Sequence, residues 1–409
     1  MNWKIKKNVE LLILFLVLNQ LVIDTFNGYF IFSSQGGGII SVIYKIIIFF
    51  LFLFYELVSR DRFIVAFSIV TWGVFLTFFH LLSNNYTEVV MDLSEYIKLA
   101  TTFIVFLGVS KFSYINPLAF IKYLSVYSFC IILFNILLSA FGVGETSYSD
   151  FGYKGFFYAA NALSGVFCIV ACFLMYITLK KSLTYYIICA GVLALCSFAI
   201  GTKTGIVFVA ISLVTIPLLM EGKKAKIRVS LLLSLVGFLC ALVIYADKIY
   251  TSNLVLRIVH FYEVGGWSKM LFSDRDLFLK YNVDQFLNSD PVSLLIGIGY
   301  AGINAFPKPL TEIDIADITI IYGMLTTSAY ISFYIGILFY SNGYLKKNCP
   351  RDIIAISRYI CLVLMIVSSI AGHILFNGMV TLYLGIAMAL PWWMANYRTR
   401  HIKGLKINV

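Results

Sequence analysis

Charge is scarce in this sequence. Only 12% of its 409 residues are Asp, Glu, Lys or Arg, while 61% are hydrophobic, and soluble globular chains carry roughly a quarter charged residues. A soluble protein of this size needs a charged exterior, so the composition excludes a water-soluble fold and predicts a surface covered by lipid. The short alternating strands of a membrane β-barrel are also missing.

A cysteine framework is absent as well. Seven of the eight cysteines fall inside apolar runs and Cys349 lies in a basic loop, without zinc-ligand spacing or a C-x-x-C motif. This pattern is typical of cysteines that serve as small core hydrophobes. A small-residue cleavage site before Gln20 is also lacking, so the first apolar run is expected to be a retained span.

What the sequence has in abundance is apolar runs of roughly 20 residues, the length that crosses a bilayer as a helix. They predict a single all-α polytopic membrane domain over 1–409 with about twelve spans. The predicted spans are 8–24, 39–58, 63–82, 96–109, 118–141, 157–179, 183–200, 204–220, 229–246, 318–341, 353–372 and 374–395.

The basic residues are concentrated in alternate connections between these runs, and the intervening connections are mostly acidic. Connections rich in Lys and Arg face the cytoplasm. The alternation therefore predicts that both termini are cytoplasmic. The net charge of +11 reflects this clustering, which indicates anionic lipid headgroups as neighbours and not nucleic acid.

One predicted outer connection, residues 247–317, is far longer than the others, and long loops of ordinary composition are usually functional. Residues 253–264 have apolar side chains at helical spacing, and a second helix is predicted over 274–288. The sequences SDP (289–291) and GIGYAG (297–302) are predicted as turns. The loop should form short helices that cover a lipid-accessible site on the outer surface.

Three cations on the predicted outer side are candidates for binding a phosphate or diphosphate. Lys203 lies in the sequence GTKTG, Arg275 in SDRD, and Arg257 earlier in the loop. Lysine at this depth is costly unless it meets an anion or water, and arginine binds pairs of oxygens. The alternatives are a lysine that snorkels to the interface and arginines paired with Asp274 or Asp276.

Carboxylates and a histidine are the candidates for a general base. Glu312, Asp314 and Asp317 precede or open a span, and His373 lies between the last two spans. Glu312 and Asp314 share a face only if their segment is extended. The alternatives are a hydrated acidic helix start, a metal site formed by the three carboxylates, and an interfacial histidine without a chemical role.

The order of these motifs resembles a known family. The sequence YKGFFYAAN (153–161) precedes a span, GTKTG follows two spans later, and then come the long loop and EIDIADITIIYG, which opens the next span. Between about 150 and 390 the chain resembles the O-antigen polymerase and O-antigen ligase superfamily, the Wzy-type polymerases especially, with a GT-C-like arrangement of spans.

The chain departs from the family pattern at two places. Family members usually carry Ser-Arg-Thr-Gly where this chain has Thr-Lys-Thr-Gly at 202–205, so the cation is kept without the two-point guanidinium. Ligases generally carry a His-Asn pair about a dozen residues before a glycine that opens the next span, whereas carboxylates occupy that stretch here. The missing pair favours a polymerase over a ligase.

The resemblance implies inverting glycosyl transfer on the outer face of a bacterial plasma membrane, in the synthesis of a capsule, an exopolysaccharide or O-antigen. Both donor and acceptor would be oligosaccharides on undecaprenyl diphosphate, with a flippase and a chain-length regulator as possible partners. Arg275, Lys203 and Arg257 would bind the diphosphate, and Glu312, Asp314 or His373 would act as base. No metal and no cofactor are expected.

Two other functions compete with a polymerase. One is an O-antigen-type ligase, and the other is a flippase or transporter for lipid-linked oligosaccharides. A transporter is expected to place charges in mid-membrane and to show paired halves. Lys45 and Lys98 are the mid-span candidates, and no internal repeat is visible.

Overall fold

The computed structural model describes residues 3–33, 38–58, 63–83, 86–148, 151–220, 253–340, 342–370, 372 and 374–407. The helices in these ranges are α1 Trp3–Phe32, α2 Ile39–Val58, α3 Phe63–Ser83, α4 Tyr86–Val109, α5 Pro117–Ala140, α6 Ala160–Lys181, α7 Leu183–Ile200, α8 Lys203–Leu219, α9 Asn253–Phe272, α10 Arg275–Leu287, α11 Pro291–Ile296, α12 Gly299–Asn304, α13 Asp314–Phe339, α14 Gly343–Asn348, α15 Arg351–Ser368 and α16 Val380–Ile407. Two short strands, β1 Glu145–Tyr148 and β2 Phe151–Gly155, pair antiparallel between α5 and α6.

Within the described residues, seven helices are long and apolar enough to span a membrane, namely α1, α2, α3, α5, α6, α7 and α13. Helix α8 is apolar but shorter. The all-α polytopic membrane fold predicted from composition is confirmed. The number of about twelve spans stays a prediction, and the predicted span 229–246 lies outside the described residues.

Helix α6 forms the centre of the bundle. It is apolar on all sides, as expected for a helix surrounded by others, and 89% of its most apolar stretch is buried, against 22–50% for the other six spans. It packs against α5, α7 and α8, while α16 packs against α4 and α15. Large apolar side chains such as Phe15, Phe54 and Ile64 remain exposed, which fits a lipid-facing surface.

The starts of two predicted spans differ most from the starts of their helices. Helix α4 begins at Tyr86 and not at residue 96, because its acidic first half is stabilised by contacts that hydropathy does not reveal. Buried Asp92, for example, accepts hydrogen bonds from the backbone N–H of Tyr300 at 2.6 Å and contacts His80 Nδ1 at 2.9 Å. Helix α16 begins at Val380 and not at residue 374, after a turn at 374–379.

The predicted outer loop contains helices α9 to α12, of which the sequence indicated α9 and α10. Helix α9 is broken at Gly265 and Gly266. Asp290 begins α11 by accepting hydrogen bonds from the N–H groups of Val292 and Ser293 at 3.0 and 3.1 Å. The turn prediction for 297–302 is wrong in part, since α12 starts within it.

The loop helices dock directly onto α13. The Ile298 N–H donates to the Ile320 carbonyl at 3.0 Å, and α13 is kinked at Gly323, whose φ is +79°. A Cβ at Gly297 would lie 2.0 Å from the Ile321 carbonyl oxygen, and one at Gly323 would lie 2.2 Å from that of Leu295. Only glycine permits this contact between the two backbones, which fixes the loop relative to the span.

Candidate functional site

The Glu312 carboxylate binds two cations. Its Oε2 accepts hydrogen bonds from Arg275 Nε at 2.9 Å and from Nη2 at 2.8 Å, and its Oε1 accepts one from Lys308 Nζ at 2.9 Å. We call these three residues the Glu312 cluster. Two cations share one carboxylate, so the cluster has a net positive charge. Its side chains are partly exposed, from 16% for Arg275 to 32% for Lys308, so a ligand can reach them.

The surroundings of Glu312 act on its pKa in opposite directions. Burial disfavours the charged form and raises the pKa, whereas the hydrogen bonds and positive charges of Lys308 and Arg275 lower it. The cations prevail, and the pKa of Glu312 lies below its usual value. The carboxylate is therefore ionised, and it is a weak base for as long as both cations stay bound.

Lys203, at the start of α8, contacts the end of helix α9. Its Nζ donates hydrogen bonds to the Met270 carbonyl at 2.9 Å and to Ser273 Oγ at 3.4 Å, and it lies 4.9 Å from the centre of the Phe261 ring. These contacts place Lys203 against the loop at Ser273, which is two residues before Arg275. A simple snorkelling side chain would not make them.

The backbone is strained around these cations. Among the described residues, the non-glycine residues with positive φ are Ser273 at 54°, Asp274 at 70° and Glu312 at 62°. Glu312 belongs to the Glu312 cluster, and Ser273 and Asp274 are the two residues before Arg275. Such conformations persist only where the surroundings enforce them, and they concentrate at functional sites.

Asp317 enforces the turn at Glu312. Its buried carboxylate accepts hydrogen bonds from the Thr311 N–H at 2.7 Å, from Thr311 Oγ1 at 2.8 Å and from the Glu312 N–H at 3.1 Å. These bonds satisfy the N–H groups that precede α13. Asp317 therefore positions the Glu312 backbone, and its own oxygens are occupied.

Asp314 is fully buried and contacts the turn at 374–379. Its Oδ2 accepts hydrogen bonds from the N–H groups of Ile374 and Leu375 at 3.0 and 2.7 Å. A Cβ at Gly372 would lie 1.8 Å from the Glu312 carbonyl oxygen, so this backbone also packs on the site. The structure thus brings the segment next to His373 against Glu312 and Asp314.

Two predicted site residues cannot be placed. His373 lies outside the described residues, as does the side chain of Arg257 on α9. Lys203, Arg275, Glu312 and Asp314 are all described, and they lie around the junction of α8, the loop and α13.

The alternative pairing of Arg275 with Asp274 or Asp276 is not observed. Asp274 contacts Lys269 at 3.1 Å, and Asp276 accepts a hydrogen bond from Ser268. Sequence reasoning missed Lys308 as the second cation on Glu312. The available signal was a lysine four residues before the acidic cluster in an otherwise apolar stretch.

A metal site formed by the acidic residues finds no support in the described part of the chain, where no group of three or more His, Cys, Asp and Glu side chains is placed to hold an ion. Glu312 binds cations, and Asp314 and Asp317 bind backbone N–H groups. The three carboxylates thus have different hydrogen-bond partners.

Residues 266–392 match the family model described as O-antigen ligase like membrane protein. The match confirms the resemblance indicated by the motif order. It runs from α9 into α16 and includes the whole Glu312 cluster. The O-antigen ligase-like match indicates a multi-pass membrane enzyme that processes O-antigen or a related polysaccharide. No curated protein and no solved structure gives a significant match.

Proposed function

We propose that the protein polymerises oligosaccharide repeat units carried on undecaprenyl diphosphate, on the outer face of a bacterial plasma membrane with both of its termini in the cytoplasm. The glycan would be a capsule, an exopolysaccharide or O-antigen. The observation that carries the proposal is the partly exposed Glu312 cluster, which combines a net positive charge with a carboxylate at the start of a span.

The cations would stabilise the leaving group. In the proposed step, a hydroxyl oxygen of the acceptor sugar attacks the anomeric carbon of the donor, and the bond from that carbon to the diphosphate oxygen breaks. The diphosphate leaves with the electron pair, so negative charge grows there in the transition state. Fixed cations at that point lower the barrier, and Arg275, Lys308 and Lys203 are the described candidates, with Arg257 as a fourth. A single displacement inverts the anomeric configuration.

The same cluster offers a way to switch on a base. When Arg275 and Lys308 form ion pairs with the diphosphate in place of Glu312, they no longer lower the pKa of Glu312. Burial, which acts in the opposite direction, then raises that pKa toward the range useful for general-base catalysis. Glu312 would accept the acceptor proton only when donor is bound. Asp314 and His373 are the other proposed bases, and Asp314 would first have to release the N–H groups of Ile374 and Leu375.

A ligase is the second candidate, because the matching family model is described as ligase-like. Ligase and polymerase share the donor and the leaving group, so the Glu312 cluster serves either reaction. They differ in the acceptor, which is another lipid-linked repeat unit for a polymerase and a different molecule for a ligase.

The test is a deletion strain whose lipid-linked glycans are extracted, sized and located. Single repeat units exposed on the outer face, with long chains restored by the wild-type gene, are the expected result. Long chains that accumulate on the lipid carrier would identify a ligase. Units trapped on the inner face would identify a flippase, and either outcome would overturn the polymerase.

A further inference from the structure

A cavity of about 400 Å³ lies apart from the Glu312 cluster, between helices α1, α2, α4 and α6 and the turn at 374–379. Its volume falls in the range of small-molecule sites. Apolar walls, including Ile31, Ile97 and Ala162, surround a few polar groups, as is usual in such sites. Ionisable residues within membrane helices mark functional sites by default, and this cavity has three, Asp24, Lys45 and Lys98.

The charges that line the cavity are paired. Lys45 Nζ lies 2.7 Å from Asp24 Oδ1 and 2.8 Å from Ser41 Oγ. Lys98 forms an ion pair with Glu95 on the same helix. The set therefore has no excess positive charge, in contrast to the Glu312 cluster, while it supplies hydrogen-bond donors and acceptors side by side.

One turn connects this cavity with the candidate catalytic site. The N–H groups of Ile374 and Leu375 bind Asp314, and a few residues later Asn377, Gly378 and Met379 line the cavity. The Gln20 amide fixes the turn to α1 through the carbonyls of Gly378 and Met379, at 3.2 and 3.0 Å.

We propose that this cavity binds a sugar ring of the acceptor, a second saccharide site separate from the donor diphosphate. The proposal rests on the proposed function and adds the place where the second substrate is held. The turn at 374–379 then connects the bound acceptor with Asp314 and the residues around Glu312.

The chemistry of the lining favours a neutral polyhydroxy ligand over a phosphate. Each sugar hydroxyl is both donor and acceptor, and the cavity offers both kinds of partner in the carboxylate of Asp24, the ammonium groups of Lys45 and Lys98, and the amides of Asn27 and Asn377. A phosphate would meet the Asp24 carboxylate, and each lysine already has an anionic partner. Tyr158, which is 72% exposed, adds an aromatic face at the rim.

The test fills the cavity from its edge. Val42 lines the cavity and is 39% exposed, whereas its neighbour Ile43 is 51% exposed and lies outside the lining. Val42→Trp therefore places an indole in the cavity with little strain in the core, and Ile43→Trp is the matched control. The probe is the repeat-unit saccharide released by mild acid from the lipids of the deletion strain. Saturation-transfer NMR reports its binding to purified protein.

We expect saccharide signals with the wild type and with Ile43→Trp, and signals at least about tenfold weaker with Val42→Trp. Chain extension in cells should fall in parallel in Val42→Trp. Equal saccharide binding by all three proteins would overturn the proposal. A Val42→Trp variant that keeps saccharide binding and loses binding of inorganic diphosphate would overturn it as well. A deletion strain with normal glycans would refute the proposed polymerase instead, whereas equal saccharide binding by the three proteins refutes only the role of the cavity.

Discussion

Two groups of charges in this molecule are built in opposite ways. Glu56 is fully buried and meets Lys111 Nζ at 2.5 Å, with both residues on or next to regular helices, α2 and α4. We call them the Glu56 pair. In the Glu312 cluster the carboxylate is 29% exposed and binds two cations, Arg275 and Lys308, on segments with strained backbone.

The difference separates charges that maintain a fold from charges available to a ligand. A buried pair that loses one partner leaves a charge without compensation, which is strongly destabilising. A partly exposed cluster with surplus positive charge can exchange its carboxylate for an incoming anion, because water screens the intermediate state. Variants in the Glu56 pair should therefore reduce stability, and variants in the Glu312 cluster should reduce activity.

The largest effect is expected for Glu56→Gln. It removes the carboxylate that pairs with Lys111, whose side chain is only 14% exposed, and should lower the free energy of unfolding by about 3 kcal/mol. Thermal unfolding of the detergent-purified protein measures this. Asp352→Asn is the control, since it leaves the Lys180 side chain, which is 38% exposed, without the carboxylate of its pair and should cost less than about 1 kcal/mol. If both variants lose the same free energy of unfolding, the burial of the Glu56 pair does not make it more important for stability than an exposed pair.

Arg275→Ala should reduce chain extension by about 10²–10³-fold, the usual cost of removing one fixed group that stabilises transition-state charge. Stability should change little. Lys280→Ala is the control, because Lys280 is an exposed cation on the same helix. Extension is measured with purified protein and lipid-linked units. An equal effect of both variants would show that general surface charge matters and not the guanidinium beside Glu312.

Glu312→Gln sharpens the comparison further, because Glu312 would both compete with the diphosphate and act as base. Its loss should lower kcat by on the order of 10²-fold. KM for the donor should fall as well, since Arg275 and Lys308 are then free for the diphosphate. Steady-state kinetics separates the two effects. A raised KM with unchanged kcat would mean that the carboxylate only helps to bind the donor.

The smallest effect is expected when the pH is lowered to acidic values. The pKa of Glu312 is lowered in the folded protein, so its ion pairs stabilise the loop fully above the usual glutamate pKa. That stabilisation is lost as pH falls through the lowered value. Hydrogen exchange of residues 268–313 should therefore show, after correction for the intrinsic rate, a modest loss of protection at acidic pH, and Glu312→Gln should not. If the variant loses the same amount of protection at acidic pH, the loss arises from the titration of another group.

Sequence reasoning succeeded where apolar length dictates the structure. The predicted spans 39–58 and 183–200 coincide with α2 and α7, because both segments are long and predominantly apolar. It failed where tertiary contacts replace hydropathy. The acidic start of α4 is held by buried Asp92, and the β1–β2 hairpin is too short to leave a strong alternating pattern.

Sequence reasoning singled out individual residues of the candidate site but did not predict their arrangement. Arg275 and Glu312 were both singled out, yet they are 37 residues apart, and no local rule pairs them. The turn at Glu312 depends on Asp317, which sequence alone presents as one more acid. Lys308 was missed because a single lysine in a loop carries no pattern.

The close contact between Gly372 and Glu312 also bears on biogenesis. Arg275 is translated before Glu312, and Gly372, which packs on Glu312, is translated later still. The arrangement around Glu312 therefore does not exist on the ribosome until the spans near the carboxyl end have emerged. A chain truncated before residue 372 lacks part of it, so the proposed reaction requires the last spans of the protein.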